Sequence, residues 1–193
     1  MSEFVTKYPD GLTRCNWPKQ DQIYIEYHDS EWGVKLVGEN ELFEKLSLEA
    51  FQAGLSWITI LKRRQGFRKA FHNFNIRKVA KMTEKDIERL MQDEGIIRNR
   101  AKINATISNA RLILELDQPL TSLIWAHAPK RATTPAANFE FKATSPESIA
   151  LSKALRGLGF SFVGPTTMYA MMQSIGMVND HAPGCFRRDQ LRD

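Results

Sequence analysis

Residues 39–64 read ENELFEKLSLEAFQAGLSWITILKRR, and this stretch decides the fold class. Leu42, Leu46, Ala50, Ala53, Trp57 and Leu61 recur close to the 3.6-residue turn of an α-helix, which predicts an amphipathic helix. Gly54 interrupts the run, so either a kink or the meeting of two helices is expected there. In an unbroken helix Glu49, Ala53 and Trp57 stack on one side, with Glu49 over Trp57. A carboxylate in so apolar a run is costly to bury unless paired. Glu49 therefore reads either as an exposed member of the polar stripe or as an acceptor at the bottom of a pocket.

Working outward, helical signals continue. Thr83 with Asp86 three residues on predicts a capped helix start, and Gly95 a stop. Ile103, Ile107, Ala110 and Leu114 place one apolar face on a helix ending before Pro119. Residues from about Pro129 to Thr144 hold turn formers and little periodicity, which predicts a long irregular excursion. Ser145-Pro146 restarts helix, and Ala150, Leu151, Ala154, Leu155 and Leu158 carry it to Gly157 and Gly159. The hairpin Phe160-Ser161-Phe162-Val163-Gly164-Pro165 then leads into a helix from Thr166 to about Ile175. Strands are scarce, and the expected fold is all-α.

The 193 residues, 42% hydrophobic and 25% charged, suit a single domain over residues 1–193 with a sizeable core. No apolar run approaches the roughly 20 residues of a membrane-spanning helix, so no membrane partner is expected. Met1-Ser2-Glu3-Phe4 has no basic region ahead of an apolar run, which predicts no secretion signal and a cytoplasmic home. The net charge of +5 is compatible with a polyanionic partner. Its basic residues cluster at Lys62-Arg63-Arg64 with Arg68 and Lys69, at Arg98, Arg100 and Lys102, and at Arg187-Arg188. They read as solvated helix ends or as a nucleic-acid face, and three clusters bring nucleic acid forward.

Several constellations can carry chemistry. The two cysteines pair with histidines near the two ends, Cys15 with His28 and His181 with Cys185. Two thiolates and two imidazoles form a closed donor set for Zn²⁺, a structural clasp rather than a catalytic site. Buried free thiols or a disulfide are the alternatives, the disulfide being disfavoured inside cells. Trp17, Tyr24, Tyr27, Trp32 and Trp57 hold three of the four tryptophans in the first third of the chain. Such residues fill a core or sandwich a flat heterocycle. The hairpin with Gly164 before Thr166-Thr167 exposes backbone N–H groups at a helix start, a phosphate cradle or an ordinary packing turn.

Taken together, Arg14-Cys15-Asn16-Trp17, Tyr24 through Val34, Gln52 through Trp57, Gly95-Ile96-Ile97-Arg98, Phe162-Val163-Gly164 and Val178-Asn179-Asp180-His181 resemble the 3-methyladenine DNA glycosylase I family. That is a bacterial repair family of the helix-hairpin-helix superfamily, and the resemblance runs from about Arg14 to Cys185. It implies a helix-hairpin-helix glycosylase fold whose zinc clasp, at Cys15, His28, His181 and Cys185, joins the N- and C-terminal segments. Residues 1–13 and 186–193 are expected as peripheral tails. It implies Glu49 as the catalytic-site hydrogen-bond acceptor, Tyr27 and Trp57 stacking on the base, and Tyr24 and Trp32 lining the site. Gly54 and Leu55 correspond to the segment that wedges into DNA, and Val163, Gly164 and Thr166 to the phosphate-holding hairpin. The implied activity is hydrolytic excision of 3-methyladenine from alkylated double-stranded DNA by a monomer, without strand cleavage and with the free base as product. Asp180 stays outside the catalytic set. Ala50-Phe51 departs from relatives that often carry glycine first. The competing class is a zinc-stapled module that binds damaged DNA without catalysis.

Overall fold

A computed structural model describes residues 4–130 and 139–191. Among these, the only strands are β1 (Val5–Lys7) and β2 (Thr13–Cys15), paired antiparallel with Val5 opposite Cys15. The rest is helical: α1 (Gln22–Ser30), α2 (Glu39–Gln52), α3 (Trp57–Lys62), α4 (Arg64–Ala70), a 3-10 turn (His72–Phe74), α5 (Ile76–Ala80) and α6 (Glu84–Met91). Then follow α7 (Arg100–Leu114), α8 (Leu120–Trp125), α9 (Pro146–Gly157), α10 (Pro165–Ser174) and α11 (Phe186–Gln190).

Helix α2 lies at the centre. All ten residues from Leu42 to Phe51 are buried, polar ones included. A helix hidden on every side replaces the one-faced helix that its spacing predicts. Helices α3, α7, α8 and α10 and the 3-10 turn pack around it. At Gly54 two helices meet: α2 ends, Gly54 takes φ +84°, which glycine adopts without steric cost, and α3 starts at Trp57. From α7, Lys102 Nζ donates to the carbonyls of Phe51 (2.9 Å) and Ala53 (2.7 Å), a cation closing the C-terminal end of α2.

The capping signals match: Thr83 and Asp86 form a capping box at α6, Ser145 accepts from Ser148 N at α9, and Pro146 stands in the first turn. Some details differ. Helix α6 ends at Met91, short of Gly95. Leu114 and Leu158 are exposed, while Ile113 and Phe160 are buried in their stead: the buried face of α7 steps three residues from Ala110 rather than four, and after Leu155 the next buried apolar residue is five on, past the end of α9. Part of the predicted irregular excursion, residues 131–138, lies outside the described residues; 139–144 is non-helical.

Helices α9 and α10 pack together and are joined by a turn whose Ser161 is clamped by Asn109 through two hydrogen bonds (3.1 and 3.0 Å). Gly164 caps α10, and Pro165 occupies its first position. Both chain ends expected as tails make contacts: Arg14 pairs with Asp10 (2.7 Å), the Tyr8 hydroxyl donates to the Lys19 carbonyl, and α11 packs on β2.

Candidate functional site

Where α1, α2, α3 and α10 converge there is a cavity of about 270 Å³. Tyr24, Tyr27, Trp32, Glu49 and Trp57 all line it, so the structure brings together every base-pocket residue expected from sequence. The aromatic rings fall in two groups. Tyr27 and Trp57 lie 5.4 Å apart, while Trp17 sits 4.8 Å from Tyr24 and 5.0 Å from Trp32. Glu49 stands among them, 4% exposed, which decides between the two readings in favour of a pocket acceptor. The break at Gly54 does not separate Glu49 from Trp57, since the turn folds α3 back onto α2.

The electrostatics follow from burial. Desolvation pushes the Glu49 carboxyl up to about 8, against the pull of Lys45 and of the neighbouring Ser174 hydroxyl. Burial and the neighbouring Glu49 push the Tyr24 phenol up to about 12, and the same causes raise Tyr27. Both tyrosines are therefore neutral donors near neutral pH. The Trp57 Nε1–H is buried without a hydrogen-bond partner among the described residues. An aromatic slot with one buried carboxyl group and unused donors is complementary to a flat, nitrogen-rich ligand, and a cationic one favours the ionised form of that carboxyl.

A second cluster adjoins the pocket through Trp32, whose ring lies 4.5 Å from that of His181. Cys15, His28 and Cys185 offer ligand atoms within 4.8 Å of one another, all buried. His181 is not in that group, but its ring lies 5.0 Å from that of His28, and its buried Nε2 has no hydrogen-bond partner among the described residues. Burial holds His181 down at about 3, hence neutral with a lone pair available, and Asn179 Oδ1 stands 3.1 Å from Nδ1. His28 Nδ1 is likewise 2.7 Å from Asp29, which Arg14 grips in turn. The Cys185 thiol is drawn down to about 4 by hydrogen bonds from Cys15 and His28. Sulfur and imidazole donors, each with an outer partner, fit a metal such as zinc. Gly33 (φ +80°) packs so closely that a Cβ there would meet His181 at 2.8 Å.

The remaining expectations are placed as follows. Gly54 and Leu55 form the exposed turn beyond α2, and Val163 is buried while Gly164 and Thr166 open α10 towards solvent. Much of the basic residue set is engaged internally. Arg64 binds Glu31 and Glu44, Arg68 binds Glu44, Arg100 binds Glu84 and Glu88, Lys102 is buried, and Arg188 donates to the His181 carbonyl (2.5 Å). Lys62, Arg63, Lys69 and Arg98 of the same clusters are exposed. Ala50 and Phe51 do not line the cavity, and Phe51 packs on Phe67. Asp180 accepts from Tyr169 and from Gln173, so it holds a wall residue rather than facing the cavity itself. Sequence reasoning did not single out Phe141, Lys142, Gln52 and Gln173 as further wall residues. The first two carry no periodic signal; Gln52 stands within a quoted motif and was the one that could have been found.

Fold and site define a helical protein with an aromatic pocket beside a buried thiol–imidazole cluster. The chain belongs to the methyladenine glycosylase family, whose sequence profile matches residues 17–188. It is 50% identical over 182 residues to DNA-3-methyladenine glycosylase 1 of Escherichia coli strain K12, covering 90% of this chain and 96% of that one. A Haemophilus influenzae DNA-3-methyladenine glycosylase is 47% identical, with the same coverage. A crystal structure of a 3-methyladenine DNA glycosylase I superposes with a TM-score of 0.86 at 47% identity, covering 90% of this chain and 98% of its own. The Staphylococcus aureus enzyme, solved to explain 3-methyladenine recognition, gives 0.84 at 32% identity, covering 91% and 96%.

Proposed function

We propose that this protein is a DNA base-excision repair glycosylase that takes 3-methyladenine out of alkylated duplex DNA and hydrolyses its N-glycosyl bond. The observation that carries this reading is the Glu49 carboxylate buried inside an aromatic-walled cavity of single-base size. The names of its relatives point the same way.

Methylation at N3 places a positive charge on adenine and weakens the bond to the sugar. When that bond breaks, its electron pair passes to the ring nitrogen and neutralises the base. Water adds to the sugar carbon and gives up a proton, leaving an abasic site and the free base. A leaving group so activated needs little acid catalysis, so the protein's interactions go to extrusion, selection and orientation. Glu49 accepts hydrogen bonds from the amino edge and balances the charge. Tyr27 and Trp57 stack on the base, and Tyr24 and Trp32 complete the walls. A neutral, unmodified adenine gains less from the carboxylate.

Leu55, exposed on the Gly54 turn, is suited to fill the gap left by the extruded nucleotide. The hairpin at Val163 and Gly164, with Thr166 at the start of α10, would hold a phosphate by backbone N–H groups. This assigns the α9–α10 pair the role of a helix-hairpin-helix element. Cys15, His28, His181 and Cys185 would hold a structural zinc, which supplies a cross-link between the chain ends and no open coordination position. We further infer a cytoplasmic monomer acting without strand cleavage. Among the described residues no helix is long and apolar enough to cross a membrane.

Incubation with dimethyl-sulfate-treated duplex DNA, with chromatography of released bases and gel analysis of the strands, tests the reading. Free 3-methyladenine with retained 7-methylguanine and intact strands is expected. Tight binding to the damaged duplex with no base released would make the protein a recognition module instead.

A further inference from the structure

Behind the base pocket lies a second cavity of about 160 Å³, and the buried side chain of Lys45 faces it. Lys45 is 4% exposed, and its Nζ has no hydrogen-bond partner among the described residues. It stands 3.6 Å from Glu31, 4.8 Å from the centre of the Tyr27 ring and 5.8 Å from that of Trp57. An ammonium is not taken out of water without compensation. Glu31 is already held by Arg64 at 2.6 and 2.8 Å, and Glu44 by both Arg64 and Arg68. Three cations thus share two carboxylates. The buried acid that closes the balance is Glu49, one helical turn along α2 from Lys45.

We propose that Lys45 is a positioning residue for base excision, its charge drawing Glu49 towards the ionised form when the cationic base arrives. The rings of Tyr27 and Trp57 stand between the ammonium and the base pocket, and Lys45 is not among the pocket's lining residues. Their electron-rich faces therefore take up part of its charge on the side away from the substrate. Ser174 lines the second cavity beside Lys45, its hydroxyl donating to the Met171 carbonyl (2.9 Å).

The other groups around Glu49 do not substitute for Lys45. Helix α1 contributes Tyr24 and Tyr27, both held above their ordinary value and neutral. Glu31, beyond its end, and Glu44 on α2 are already engaged by the arginines of α4, Arg64 and Arg68. Lys142 stands on the pocket wall but is not among the charges that act on Glu49. Helices α3 and α10 bring the uncharged Trp57, Gln173 and Ser174, and Lys102 of α7 is spent on the carbonyls of Phe51 and Ala53. Burial lowers the Lys45 ammonium, with Glu31, Glu49 and Glu44 acting against that fall.

The proposal rests on the assignment of Glu49 to the base. Its test is the pH profile of single-turnover base release from methylated duplex DNA, in Lys45→Met, which keeps the shape, and Lys45→Arg, which keeps the charge. The methionine variant is expected to match wild type at high pH and to lose activity earlier on acidification. An acid limb displaced upward by about one unit leaves it about tenfold slower below the limb, and arginine restores the profile. A superimposable limb in Lys45→Met, or a loss equal at every pH, overturns the proposal. A ¹³C titration of the Glu49 carboxyl, wild type beside Lys45→Met, reads the effect without turnover, and an unmoved titration overturns it too. Full activity of Glu49→Gln would instead remove the base assignment, a result separable from the carboxyl titration.

Discussion

Glu49 shows how one side chain carries an energetic penalty along with the role proposed for it. Its carboxyl titrates near 4.5 in an unfolded chain and at about 8 in the folded one. Between those values the folded state keeps a proton that the unfolded state has released, so folding stability falls as pH rises through that window. Glu49→Gln should therefore leave the melting temperature unchanged near pH 4 and raise it progressively up to about pH 8. A gain of several degrees is expected there. Thermal unfolding at pH 4, 6 and 8 checks this, and a gain independent of pH contradicts it. The local pattern around Glu49 could not decide its burial, because the residues that cover it include Ser174 on α10, far along the chain.

At the scale of elements, the turn after α2 depends on a neighbour. Lys102 satisfies two terminal carbonyls of α2 immediately before Gly54 and Leu55. Lys102→Met strands those acceptors, and a loss of about 1–3 kcal/mol in urea unfolding is expected. Base release should fall as well, since Leu55 loses its fixed position. An unchanged unfolding midpoint would show that water replaces the ammonium at no cost. Periodicity and capping residues made α6, α9 and α10 legible, since those signals are local. Short elements such as α5, α8 and α11 are too brief to display a period, and they owe their helicity to packing on longer neighbours.

Across the whole molecule, Cys15 of β2, His28 of α1 and Cys185 before α11 meet, bringing residues from opposite ends of the chain together as the proposed clasp requires. Purified protein is expected to contain one zinc per chain by elemental analysis. Cys185→Ala should lose the metal and melt several degrees lower, while protein that is metal-free as isolated yet fully stable would refute the clasp. The donor types were legible in the sequence, but their meeting was not, since spacing alone leaves two distant pairs. The outer partners Asp29, Arg14 and Asn179 appear only once the chain is folded. The basic clusters divide between the two readings. Arg64, Arg68, Arg100 and Lys102 are paired within the protein, while Lys62, Arg63, Lys69 and Arg98 are exposed, a division that only folding settles.

The most direct test of the account is the single-turnover rate of 3-methyladenine release from methylated duplex DNA, wild type against Glu49→Gln, both shown to be folded. The account predicts a readily measured wild-type rate and a decrease of at least tenfold in the variant, the amide keeping the shape but losing the charge. Equal rates would contradict the assignment of Glu49 as the group that recognises the cationic base.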